Sequence, residues 1–288
     1  MRIAVLGLGH MGRALAIRLR DRDYEVAVWN RSPGRAEELA KRGVTEAGTV
    51  AEAVAGADVA VTLLANDAAV RQVCLGEGGA VANLYGDAVL VDMSTVHPDT
   101  SRALAAAAPG GRFIDAPILG GPEALMSGKA KLLLGGRQQV VTGLKPLWDD
   151  LSASYLYTGP NGTATTLKLL SNIILVGSTA LLAEAVVTGQ INGIDHDVLR
   201  RVFGESPAVA PGVQLRLEDI LEGDHRGWWT LELAEKDMGL ALSLATEQGI
   251  TLPVAAAVER LVRHSVEAGY GEQDLAAVVE VIRQPAAV

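Results

Sequence analysis

The 288-residue chain holds one cysteine, Cys74, which excludes an internal disulfide framework and any metal cluster built on cysteines. Its five histidines are scattered without HxxxH-type spacing, so no zinc site is expected. An excess of positive charge is missing as well. Twenty-five Lys and Arg stand against 34 Asp and Glu, for a formal net charge of −9 and a pI near 5.1. That balance argues against nucleic acid or an anionic membrane as partner, since either would select a basic face. No uninterrupted apolar run reaches 18 residues, because Glu184 and Thr188 break the longest one, so no membrane span is expected. Met1 leads straight into RIAVLGLG with no signal peptide ahead of it, and these absences together predict a soluble, cytoplasmic protein. The length allows two domains, and 49% hydrophobic with 20% charged residues is an ordinary globular mixture with an apolar lean.

What is present begins at residues 2–6, RIAVL, an apolar run of the kind that forms a strand buried on both faces. It feeds Gly7-Leu8-Gly9-His10-Met11-Gly12, followed by Ala14, Leu15, Ile17 and Leu19 at helical spacing. Strand, GxGxxG, helix is the context of a dinucleotide-binding loop. The first glycine allows the tight turn, the second lets backbone amides approach a pyrophosphate, and the third lets the helix pack on the strand. The helix N-terminus adds unpaired N–H groups and a positive dipole end. His10 and Met11 complete the cofactor loop, His10 as a shape-setting residue rather than a base.

The next strand, Glu25–Trp29, ends at Asn30-Arg31-Ser32. NAD-selective loops carry an Asp or Glu here for the ribose 2′-hydroxyl. With the acid absent, Asn30, Arg31 and Ser32, assisted by Arg35, offer donors to a 2′-phosphate, and a guanidinium grips phosphate bidentately. NADP(H) is therefore expected in preference to NAD(H).

Strand-like and helix-like segments then alternate as far as residue 157, which predicts a mostly parallel sheet covered by helices. Ligands of such sheets sit beyond the carboxyl ends of the strands. That rule gathers the glycine loop, Leu64-Ala65, Ser94-Thr95 and Leu119-Gly120-Gly121 on one edge. A Ser-Thr pair before a helix also serves as an N-cap, and a glycine pair also makes a turn. On this edge the pair can equally present bare amides to a carboxylate.

Beyond residue 160 strands stop. A helix over 162–191 is apolar on nearly all sides, so burial all round by other helices or another subunit is expected, and with it a homodimer or homotetramer. Lys168 and Asn172 lie one turn apart in it and so project from one face. Burying an ammonium costs several kcal/mol, which marks Lys168 as functional. The domain reading is 1–160, a Rossmann α/β domain, and 161–288, all-helical. Glu235-Lys236-Asp237 lies in the first half of a later helix, and Trp228 and Trp229 read as core or interface anchors.

Five motifs, GLGHMG at 7–12, DMST at 92–95, DAPILGG at 115–121, GPNGTATTLKLLSN at 159–172 and KDMGLAL at 236–242, occur in an order that resembles the β-hydroxyacid dehydrogenases. That family contains 3-hydroxyisobutyrate dehydrogenase and glyoxylate or succinic semialdehyde reductases. The resemblance covers essentially the whole chain. It implies a small carboxylate-bearing substrate bound in a cleft between the two domains and hydride exchange with NADP(H). It also implies Lys168 as general acid and base, Asn172 holding the substrate, Thr95 and Lys236 at the nicotinamide, and Ser94, Gly120 and Gly121 at the substrate carboxylate. The chain departs from the family where Leu119 replaces a serine, Ala164 a glycine and Ser171 an asparagine. The first change removes a hydroxyl donor and makes the pocket more apolar. Imine reductases resemble the same fold but carry another residue at the lysine position, and a non-catalytic cofactor-binding regulator is the third reading.

Overall fold

The first strand, β1 (Arg2–Leu6), sends Ile3 and Val5 into one hydrophobic core and Ala4 and Leu6 into another. A strand alternates its side chains between faces, so a continuous apolar run is what a doubly covered strand requires. The same division holds in β5 (Val89–Asp92), where Val89 and Val91 face the first core and Leu90 the second. The computed structural model describes residues 1–284, and the chain divides into two compact units, Met1–Lys168 and Leu169–Val288.

The first unit is a nine-stranded sheet completed by β2 (Glu25–Trp29), β3 (Thr45–Glu46), β4 (Val59–Thr62), β6 (Phe113–Asp115), β7 (Ile118–Leu119), β8 (Lys131–Gly136) and β9 (Ser154–Gly159). Its order is β3-β2-β1-β4-β5-β6-β8-β7, with β9 on the other side of β8. The first six strands are parallel, β8 runs against β6 and β7, and β9 follows β8. The order reverses between β1 and β4, the switch point at which doubly wound sheets bind ligands. The expected α/β Rossmann class is the observed one.

Three local features lie in the second half of this unit. The segment after Asp115 is no simple loop: Pro117 interrupts the strand and Ile118–Leu119 re-pairs with β8. After β8 come two helices, Gln138–Gly143 and Lys145–Leu151, the second with proline in its first turn, where a missing N–H is tolerated. The short helix Pro122–Met126 lies between β7 and β8.

The second unit is helical. The 29-residue helix Thr163–Ile191 runs into it and spans about 45 Å. Val176, Leu182, Ala183, Val186 and Val187 pack from this helix into a core with Leu199, Ile220, Leu231, Met238 and Val262. Within the chain itself the burial is one-sided. Leu167, Leu170, Ile174, Leu181 and Ile191 are exposed, Ile174 by 69% and Ile191 by 78%, and their spacing draws one stripe along the helix. A helix lying at the surface of its unit covers one side only. By length and mean hydropathy (1.8) it would pass for a membrane span, but its covered side belongs to the core and holds the buried polar residues Asn172 and Thr179.

Candidate active site

The three glycines of the loop after β1 meet different surroundings. A Cβ built on Gly7, whose φ is +106°, would lie 2.3 Å from the Leu63 carbonyl oxygen. One built on Gly12 would lie 1.9 Å from the Gly7 carbonyl oxygen. Gly7 and Gly12 are thus fixed by the fold. A Cβ on Gly9 meets nothing within 4 Å, so this glycine keeps a surface clear. Gly9 precedes the helix His10–Arg20 with no side-chain cap and no acidic residue in the first turn, which leaves amide donors and the positive helix end facing that surface. The cradle fits a dinucleotide pyrophosphate, with exposed His10 and partly buried Met11 beside it.

At the end of β2, Asn30 has work inside the protein. Its Oδ1 accepts from the Leu8 N–H at 2.9 Å, and its Nδ2 donates to the Ser32 carbonyl at 2.9 Å. Asn30 therefore braces the glycine loop, a role its position alone did not reveal. Arg31 and Ser32 are exposed, and Arg31 makes no hydrogen bond or ion pair among the described residues. Arg35 is exposed, and its carbonyl accepts from Arg13.

The strand ends of β4 and β5 are tied by Asp92, which the sequence reading passed over. Its Oδ1 accepts from the Thr62 hydroxyl at 2.7 Å and from the Ser94 N–H at 3.0 Å. The Ser94 Oγ in turn accepts from the Leu64 N–H at 2.9 Å. Ser94 is 3% exposed, and through these two bonds it holds the Leu64-Ala65 and Ser94-Thr95 segments together. Thr95 is partly exposed and Ala65 exposed.

Burial raises the Asp92 carboxyl above its ordinary range, partly offset by the hydrogen bonds from Ser94 and Thr62. A raised folded-state value means the folded chain holds this proton more tightly than the unfolded one. The associated stability is present below the unfolded value and lost as pH rises through the folded one. Asp92→Asn removes that titration and keeps an acceptor oxygen. Its melting temperature relative to wild type should therefore improve over the range that begins at the ordinary carboxylate value of about pH 4 and runs upward. A difference that stays constant across that range would contradict the assignment.

Asp115 ends β6 directly beside Asp92 in register. Its Oδ1 accepts from Asn161 Nδ2 at 3.1 Å, and its Oδ2 from the N–H groups of Gly162 and Thr165 at 3.1 and 3.2 Å. These bonds seat the start of the long helix. Lys168 lies in its second turn and is partly exposed, which corrects the expectation of a fully buried ammonium. Asn172 is buried, and its Nδ2 donates to Asp237 Oδ2 at 2.6 Å, while Lys236 Nζ stands 3.0 Å from Asp237 Oδ1. Asn172 and Lys236 are thus joined through a carboxylate that the sequence reading quoted only as part of a motif.

The structure therefore ties Gly7, Asn30, Leu64 and Ser94 into one braced edge, and Asn172 and Lys236 into a second cluster. Leu119 is half-buried, Gly120 is exposed with φ +138°, and Gly121 precedes the helix Pro122–Met126. Among the described residues no hydrogen bond links these glycines to the Ser94 loop. The missed aspartates share a readable signal. VLVD and FID each place a carboxylate at the end of a buried strand, where it must find internal donors.

Residues 2–159 match the family profile of the NAD binding domain of 6-phosphogluconate dehydrogenase, and residues 162–282 that of the NAD-binding segment of NADP-dependent 3-hydroxyisobutyrate dehydrogenase. The chain is 30% identical to 3-sulfolactaldehyde reductase of Escherichia coli (strain K12), over 98% of this chain and 95% of that one. The solved structure of Psf3 in complex with NADP+ and 2-OPP is similar with a TM-score of 0.91 and 26% identity, covering 97% of this chain and 99% of that one. The imine reductase from Myxococcus stipitatus in complex with NADP+ shares the fold at a TM-score of 0.67 and 23% identity, covering 98% of this chain and all of that one (100%).

Proposed function

The chain belongs to the 3-hydroxyisobutyrate dehydrogenase-like family of NAD(P)-binding hydroxyacid dehydrogenases, and from that premise we propose that it exchanges hydride between NADP(H) and a small β-hydroxy acid or the matching aldehyde acid. The observation that carries the cofactor half is the end of β2. An amide stands where an NAD-selective loop places an acid, and the exposed Arg31, without an ion pair among the described residues, follows it. Gly7, Gly9 and Gly12 shape the pyrophosphate cradle, His10, Met11, Leu64, Ala65 and Thr95 line it, and Arg31 and Ser32 take the 2′-phosphate. Lys236 is assigned to the nicotinamide end.

When bound, the nicotinamide supplies or accepts the hydride. Lys168 moves the accompanying proton at the substrate oxygen. Its ammonium form, dominant for a lysine near neutral pH, polarises a carbonyl and protonates the developing alkoxide, and the amine form accepts that proton in oxidation. Asn172, fixed by Asp237, orients the substrate. The Gly120 and Gly121 amides hold its carboxylate, with Ser94 bracing the neighbouring loop, and Leu119 selects an acid with an apolar flank. The uncovered stripe on the long helix supports a homodimer or homotetramer in which a second copy lies over it; a monomer in sedimentation would remove this part of the proposal.

The test is a panel of small aldehyde acids, hydroxy acids and cyclic imines run with NADPH and NADH separately, on wild type and Arg31→Ala. Wild type should favour NADPH, and the variant should lose about tenfold or more of that preference, as expected for one charge-assisted contact. Equal rates with both cofactors in wild type would refute the NADP assignment. Turnover confined to imines would move the chain to the imine reductases, and no turnover at all would revive the non-catalytic reading.

A further inference from the structure

The carboxylate of Asp115 is 1% exposed and takes no part in the chemistry above. Besides Asn161, Gly162 and Thr165 N–H, it accepts from the Thr165 hydroxyl at 3.3 Å, which bonds Ser101 at 2.9 Å. The first turn of the long helix contains no acidic residue, so its positive end is met by a charge from the sheet, 50 residues upstream of Thr165. A local cap would satisfy the same amides without tying the helix to anything. A cap from the end of β6 fixes the helix start to the strand that continues towards Gly120 and Gly121.

Two further features are built around this contact. Because β8 and β9 run against β6, the chain leaves the sheet at Gly159, whose register partner Gly135 pairs with Asp115. A Cβ on Gly135 would lie 2.6 Å from an Asp115 carboxylate oxygen, so only glycine leaves the carboxylate its place. Lys168 follows Thr165 by three residues, one helical turn.

We propose that Asp115 is a positioning residue for Lys168. Its carboxylate sets the helix turn that carries the proton donor in a fixed place relative to the substrate-side strand. This rests on the reading of Lys168 as general acid and base. A displacement on the order of 1 Å at a catalytic group costs about 100-fold in rate, and that is the loss expected in kcat for Asp115→Ala, counted per NADPH-binding molecule. NADPH affinity, measured by fluorescence titration, should stay within about twofold, because the glycine cradle keeps its own braces. Asp115→Asn, which keeps one acceptor oxygen, should fall between.

A merely structural role would lower the folded fraction and NADPH binding together and leave kcat per binding molecule unchanged. Should Asp115→Ala fail to fold, Thr165→Val removes one donor at nearly constant shape. It should lose about fivefold in kcat, with Thr165→Ser restoring most of it. The assay uses NADPH and the best carbonyl acid of the panel, with Lys168→Ala alongside. An inactive Lys168→Ala beside Asp115→Ala and Thr165→Val variants within about threefold of wild type would overturn the positioning role alone. An active Lys168→Ala would overturn the reading of Lys168 and this inference with it.

Discussion

Lys168→Ala should lower kcat by about 10²- to 10⁴-fold, the usual contribution of a positioned proton donor, while NADPH still binds. The lysine lies beyond the pyrophosphate cradle in sequence and in fold element, in the second turn of the Thr163–Ile191 helix. Its loss therefore takes away the proton at the substrate oxygen and leaves the cofactor's phosphate contacts alone. Lys168→Arg is the informative companion. A guanidinium keeps the charge but does not give up its proton in this pH range, so it should polarise the carbonyl and still fail as a proton donor. Rates close to wild type in either variant would remove Lys168 from the chemistry.

The second large effect separates two glycines of one loop. Gly9→Ala should leave the melting temperature unchanged, since its Cβ enters open space, yet weaken NADPH binding by about 10- to 100-fold as the pyrophosphate is held off the amides. Gly12→Ala should do both kinds of damage. Its Cβ would sit 1.9 Å from the Gly7 carbonyl oxygen, and such overpacking costs about 1–3 kcal/mol of stability as well as the shape of the cradle. Thermal melts beside fluorescence titrations read the two outcomes. A Gly9→Ala protein that binds NADPH normally would show that the phosphates lie elsewhere.

Much of this architecture could be read from local pattern. RIAVL followed by GLGHMG states a strand, a turn and a helix because each step has its own chemical signature, and the structure places β1 at Arg2–Leu6 and the helix at His10–Arg20. The long helix was legible for the same reason. Its exposed stripe was not, because composition counts apolar residues without saying which of them face a neighbour. The braces were hidden for another reason. Asn30 to Leu8, Asp92 to Thr62, and Asn172 to Asp237 are contacts between segments 22 to 65 residues apart. No local periodicity encodes them. What the sequence does offer is a cost, a carboxylate closing a buried strand, which announces that a partner exists without naming it. The β7 segment failed to register because two residues after a proline carry no periodicity at all.

The close approach of Gly135 to Asp115 also constrains how this sequence can drift. A side chain at 135 becomes admissible only after the carboxylate at 115 has gone, and losing that carboxylate first strips the long helix of its cap. Neither single exchange is neutral while the other residue stands. The two positions, on neighbouring antiparallel strands, are therefore heritable only as a pair, and a lineage that abandoned one would have to rebuild the start of the helix by other means.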